Sequence, residues 1–120
     1  MSVMANGTVA LAIYAAADGK KPFQEWVESL KDYEAQARVF VRLERVRLGN
    51  LGDRKPVGDG VSELRVKAGP GYRVYFGRDG RTLVVLLCGG NKATQRKDIA
   101  DAKKYWWDYR SGKHATKRTI

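Results

Sequence analysis

Six consecutive apolar residues, "LVVLLC" from Leu83 to Cys88, constrain this chain more than any other feature. Side chains alternate between the two faces of a strand, so a run without a polar position buries both faces. The run predicts a central strand, and it stops at Gly89-Gly90 with Asn91 and Lys92 directly after it. The preceding "YRVYF" alternates instead. Tyr72, Val74 and Phe76 share one face and leave Arg73 and Tyr75 on the other. "RDG" between the two runs is a hairpin turn. Upstream, "VSELRVKAG" sends Ser62, Leu64 and Val66 one way and Glu63, Arg65 and Lys67 the other, and "GPG" turns the chain. Three strands in succession, joined by short turns, are antiparallel neighbours.

The first half supplies what covers this sheet. "TVALAIYA", residues 8–15, reads as a first, buried strand. Pro22 suits the first position of a helix, where its missing donor would be unpaired anyway. Phe23, Trp26, Val27 and Leu30 then form one apolar helical stripe. Asp32 is a good cap for a second helix, which buries Val39, Leu43 and Val46 with Phe40 alongside and stops at Gly49-Asn50. "LGDRKPVGDG" has no periodicity and reads as a glycine-rich loop. Thr94 caps a last helix that carries Ile99, Ala102, Trp106 and Tyr109 inward. The expected fold is α+β in the order β-α-α-β-β-β-α, a mostly antiparallel sheet packed on two N-terminal helices. Residues 1–110 make one domain, with a flexible basic tail over 111–120.

Lys and Arg number 23 against 13 Asp and Glu, a net charge of +10, so the partner is expected to be negative: nucleic acid, an acidic protein or an anionic membrane. The one cysteine, Cys88, allows no disulfide within the chain and suits a reducing compartment. The early apolar run "VALAIYAAA" lacks the basic flank of a signal peptide, and no run approaches the roughly 18 apolar residues of a membrane span. A cytoplasmic protein without a membrane partner is the expectation.

Arg65 and Arg73 fall on the strand faces not filled by aliphatics, with Glu63, Lys67 and Tyr75. Lys92 enters from the end of the central strand, and Lys55 from the glycine-rich loop. Such a floor matches phosphate oxygens. Alternating strands also place charges in water, and pattern alone leaves both readings open. Arg38, Arg42 and Arg45 make a basic stripe on the second helix, a solvated face or a surface for nucleic acid or an acidic partner. Trp107 falls off the apolar stripe of the last helix. The acids are scattered, and no Cys/His set has ligand spacing, so no metal or cofactor is expected. His114 sits in the tail.

The motifs "GNLGD", "GVSELR", "GPGYRVYF" and "GGNKATQRKDI", in that order, resemble the HigB-like addiction module killer toxins of the RelE/ParE superfamily, from about Pro22 to about Tyr109. The resemblance implies a RelE-like fold and the toxin of a type II toxin–antitoxin pair. It also implies a ribosome-dependent, metal-independent endoribonuclease that attacks mRNA through the ribose 2′-hydroxyl. Carried over, Arg73, Arg65 and Lys92 are the expected catalytic cations. Lys55, Gln95 and Asp98, which lie in the family motifs, follow as RNA- or phosphate-binding residues; Lys67 and the stripe Arg38, Arg42, Arg45 join them from the charge pattern alone. The implied partners are a helix-turn-helix, HigA-like antitoxin, the ribosome with its mRNA, and operator DNA only through the antitoxin complex. The chain departs from ribonuclease members in having no histidine near the last strand or helix. Tyr105, Tyr109, Asp98 or a lysine of shifted pKa are left as proton carriers. The superfamily also contains ParE-like gyrase inhibitors of the same fold, and a non-catalytic nucleic-acid-binding module is the third reading.

Overall fold

The computed structural model describes residues 8–112. Five strands form one sheet: β1 (Ala10–Ile13), β2 (Arg54–Gly58), β3 (Val61–Val66), β4 (Tyr72–Asp79) and β5 (Leu83–Gly90), in the spatial order β1-β5-β4-β3-β2. β5 pairs parallel with β1 and antiparallel with β4, and the remaining pairs are antiparallel. The apolar run is therefore an inner strand. Helices α1 (Pro22–Ser29) and α2 (Tyr33–Arg47) cover one sheet face, and α3 (Gln95–Arg110) covers the other.

The start of the first helix and both ends of the second fall where their residues require. Pro22 opens α1, and the Asp32 carboxylate accepts from the backbone N–H groups of Glu34 and Ala35 at the start of α2. Gly49, at φ 94°, closes α2: its N–H donates to Val46 O, and that of Asn50 to Arg45 O. Phe23, Val27, Val39, Leu43 and Val46 join Leu64, Val74, Phe76, Val84 and Leu86 in one core. Val61, Tyr75, Val85, Leu87 and Cys88 form a second core with Ala102 and Trp106 of α3.

Three expectations need correction. The segment read as a glycine-rich loop contains the fifth strand, so the order is β-α-α-β-β-β-β-α. β2 carries Pro56 and only one half-buried apolar residue, Val57, which is tolerated because it is an edge strand. Phe40 does not join the core and remains about half exposed. The face of Arg65 and Arg73 is not bare, because α3 roofs most of it. The start of α3 also differs in detail. Thr94 is its N-cap residue but makes no capping bond; Asn91 caps the preceding turn, Lys92–Thr94, through Ala93 N and Thr94 N. His114 and most of the predicted tail lie outside the described residues.

The abrupt glycine end of β5 has a packing cause. The β4–β5 register slips between Tyr75 and Phe76, leaving Leu87 as an extra residue, so that Leu87 and Cys88 both join the α3-side core. A side chain on Gly89 would collide with the Trp26 ring of α1, and one on Gly90 with Asp98 of α3. Both helices close directly onto backbone there, which leaves the neighbouring positions on β3 and β4 to carry the polar groups.

Candidate functional site

β3 and β4 pair so that Arg65 stands directly opposite Arg73, and Glu63 opposite Tyr75. Residues facing one another across an antiparallel pair have Cβ atoms about 5 Å apart, and like charges in that position repel. Glu63 offsets the repulsion. Its carboxylate is fully buried, with Oε1 3.6 Å from Arg65 Nε and 3.5 Å from Arg73 Nε. The other oxygen, Oε2, accepts hydrogen bonds from Tyr75 Oη at 3.1 Å and from Gln95 Nε2, in the first turn of α3, at 2.7 Å. Burial first, and then the Glu63 charge and hydrogen bond, push the Tyr75 phenol well above its ordinary pKa. Tyr75 is thereby a donor that keeps its proton.

The guanidiniums differ in availability. Arg73 is 12% exposed, with Nη1 donating to Gly71 O at 2.7 Å, whereas Arg65 is 42% exposed. Glu63 Oε1 and Arg73 Nε meet at ion-pair distance without a hydrogen bond, which leaves both groups short of a partner. Lys92 stands at the rim: its Cβ and Arg73 Nη1 both lie within 4 Å of where a side chain on Gly71 would begin. That glycine, at φ 81°, keeps the approach between them open. Lys55 of β2 stands in register with Glu63 and is exposed. The structure thus brings Arg65, Arg73, Tyr75 and Gln95 onto one buried carboxylate, with Lys55 in register beside it and Lys92 at the Gly71 edge; the cations outnumber that carboxylate.

Asp98 lies behind this group, against Gly90, accepting from Thr94 Oγ1. Burial raises its carboxyl pKa; the Thr94 bond and Lys97 oppose the shift without cancelling it. The native chain therefore holds this proton more tightly than the unfolded chain. That contribution favours folding below the unfolded pKa and is lost as pH rises through the folded one. Asp98→Asn, which keeps an acceptor for Thr94, is expected to raise the melting temperature at pH 7 and leave it unchanged near pH 3. Equal shifts at both values would show that the carboxyl charge is not the cause.

The helix stripe does not join this site. Arg42 is committed to backbone: Nε donates to Arg65 O at 3.1 Å, and Nη2 to Leu51 O at 2.5 Å and Asp53 O at 3.3 Å. Gly52 leaves it room. Arg38 pairs with Glu34 at 3.2 Å. Arg38, Arg42, Arg45 and Lys67 line a groove of about 510 Å³ between α2 and the end of β3, which shares only Arg65 with the site. Tyr109 is also remote from the site, because its hydroxyl donates to Asp79 Oδ2 at the other end of β4. Tyr105 stacks on Tyr14. Cys88 is buried, and burial holds its thiol far above the ordinary pKa. Among the described residues no group of three or more His, Cys, Asp or Glu is placed to hold a metal, and no helix is long and apolar enough to cross a membrane.

Glu63 is the residue that the sequence reading undervalued. It was placed on the cationic face but not among the site residues. The available signal is an acid on the same alternating face as Arg65, in the strand directly before the one that carries Arg73.

A small α+β domain with paired strand arginines around a buried acid is the class of protein these features define. The chain belongs to the family described as phage derived protein Gp49-like (DUF891), which it matches over residues 25–105. This is a toxin-like family related to addiction modules of the RelE/HigB type. The chain is 49% identical over 81 residues to an uncharacterized protein of Haemophilus influenzae, across 68% of this chain and 82% of that one. The matched span contains β2 to β5 and α2 entire, and so every residue of the candidate site.

Proposed function

We propose that this chain is the toxin of a bacterial type II toxin–antitoxin pair and that it cuts ribosome-bound mRNA without a metal or cofactor. The supporting observation is the in-register arginine pair beside Lys92, held by one buried carboxylate and carrying excess positive charge. In the reaction the ribose 2′-oxygen bonds to the adjacent phosphorus and the bond to the 5′-oxygen breaks. A cyclic phosphate and a 5′-hydroxyl result. The 2′-proton passes to a base, and the leaving 5′-oxygen takes one up. Negative charge grows on the non-bridging oxygens, and Arg65, Arg73 and Lys92 are the groups that meet it. Tyr75 and Cys88 keep their protons and cannot serve as the base. Asp98 is the proton carrier in this scheme: it is a carboxyl in the first turn of α3 against Gly90, the strand partner of Arg73, and burial raises its pKa above the ordinary carboxylate value. The partners under this reading are the ribosome with its mRNA, in the cytoplasm, and a HigA-like helix-turn-helix antitoxin through which the complex reaches operator DNA.

The test uses Arg65, whose exposure allows replacement without unfolding. Arg65→Ala is expected to slow cleavage by about 10²–10³-fold, as loss of one preorganised donor does. Primer-extension mapping of transcripts after induction measures it. Wild-type rates in Arg65→Ala would remove the mechanism. Intact transcripts together with trapped gyrase would replace it with the ParE-like reading.

A further inference from the structure

Large apolar side chains exposed to solvent are concentrated on one element. Of the five among the described residues, Tyr33, Phe40 and Val41 lie on α2, Leu48 is its C-cap, and only Trp107 lies elsewhere. At about 100° per residue, Tyr33, Ala37, Phe40, Val41 and Leu48 fall within one stripe roughly 100° wide, away from the buried Ala35, Val39, Leu43 and Val46. This stripe runs beside the groove of about 510 Å³ that α2 makes with the end of β3. Ala37 and Val41 form the groove's apolar wall on α2, with Val66 of β3 opposite; its remaining lining includes five cations and two acids. Arg42, tied to three backbone carbonyls, stiffens the far side.

We infer that the outer face of α2 and this groove dock an acidic, amphipathic segment of a partner protein. The occupant must cover aliphatic carbon and bring negative charge at once. A nucleic acid brings the charge, but its backbone does not bury Ala37, Val41 and Leu48. A second copy of this chain brings the same arginine row and another ten positive charges. The chain's own ends, residues 1–7 and 113–120, contain no Asp or Glu. An amphipathic protein segment supplies both properties, its apolar residues on Ala37 and Val41 and its carboxylates on Arg38, Arg45 and Lys67. Arg65 lines the groove and also faces Glu63, so an occupant of the groove abuts the anion site and competes there for the more exposed guanidinium. That the partner is an antitoxin rests on the preceding reading; the docking does not.

The test is made on the full chain alone, so that failure to dock and failure to cut RNA are separate results. One probe is a synthetic sixteen-residue peptide with leucines at helical spacing and flanking glutamates. The others are its lysine counterpart, a single-stranded oligoribonucleotide and phosphatidylglycerol vesicles. Backbone amide shifts of the ¹⁵N-labelled chain report the contact. The glutamate peptide is expected to bind saturably, to perturb Ala37, Arg38, Val41 and Arg45, and to weaken with salt. Val41→Glu, at a position 55% exposed and outside the anion site, is expected to weaken it by about tenfold with an unchanged melting temperature. Absence of saturable binding, equal binding of the lysine peptide, or shifts on another face would overturn the inference. So would occupation of this face by the oligoribonucleotide, by the vesicles, or by a second copy seen in sedimentation.

Discussion

Glu63→Ala is expected to lower the unfolding free energy by about 3–5 kcal/mol, the usual cost of removing one partner from a buried ion pair. The carboxylate is fully buried and lies 3.5 Å from Arg73 Nε, and Arg73 is only 12% exposed. Without it, Arg73 is a nearly buried cation directly opposite another. Tyr75 Oη and Gln95 Nε2 lose their acceptor as well. Arg65, more open to water, contributes little to the loss, because exposed ion pairs contribute less than about 1 kcal/mol. Glu63→Gln keeps an oxygen for Tyr75 or Gln95 and is expected to cost about 1–3 kcal/mol. Urea unfolding of the three proteins measures the series. Domains of this kind hold about 5–15 kcal/mol in all, so the alanine variant should unfold at a much lower midpoint with a similar slope. Added inorganic phosphate should restore part of the loss by neutralising the two arginines. A cost below about 1 kcal/mol for Glu63→Ala would mean that the carboxylate is not what holds them together.

Trp106→Ala is expected to cost about 3–5 kcal/mol, the range for deleting a buried aromatic side chain. The indole seals the second core where β4 and the β2–β3 turn leave bare backbone. A side chain on Gly77 would begin 2.5 Å from the ring, and one on Gly60 2.7 Å from its nitrogen. The ring also stacks on Tyr109 at 5.3 Å. Its removal leaves a hole over Val61, Tyr75 and Val85. Gly77→Val is the complementary change: the ring stays and its place is taken, so stability should fall in the same direction by overpacking. Both variants loosen α3, and α3 brings Gln95 to Glu63, so the anion site should lose order with them. Thermal melts and the Tyr75 ring signals follow the two effects. A Trp106→Ala protein that melts within a degree or two of the parent would show that α3 is not anchored through this ring.

Much of this was legible in the residues, for local reasons. Pro22, Asp32 and Gly49 mark the start of α1 and the start and end of α2 through local backbone preference and bonds within a few residues, and the structure has these three ends accordingly. The unbroken run Leu83–Cys88 required cover on both sides, and the strand has it. β2 escaped notice because an edge strand with a proline and one half-buried valine shows no period; its identity comes from pairing with β3. Phe40 was misplaced for a related reason. Its helical position borders the core stripe, and only the angle at which α2 lies on the sheet decides which bordering residues are covered. Within the candidate site, the arginines could be picked out by their strand positions, but the role of Glu63 could not. Its burial depends on Gln95, thirty-two residues away on a helix that the strand pattern says nothing about.

The sequence by itself determined the inner strand, the start of the first helix and both ends of the second, the excess of positive charge and the common face of Arg65 and Arg73. Each of these follows from short-range periodicity, backbone preference or a count of charges. Only the tertiary structure decided that α3 roofs that face, that a buried acid joins the two guanidiniums, and that the helix arginines line a groove that meets the site at Arg65. Burial and long-range pairing depend on which elements meet, and that is a property of the packed chain rather than of any stretch within it.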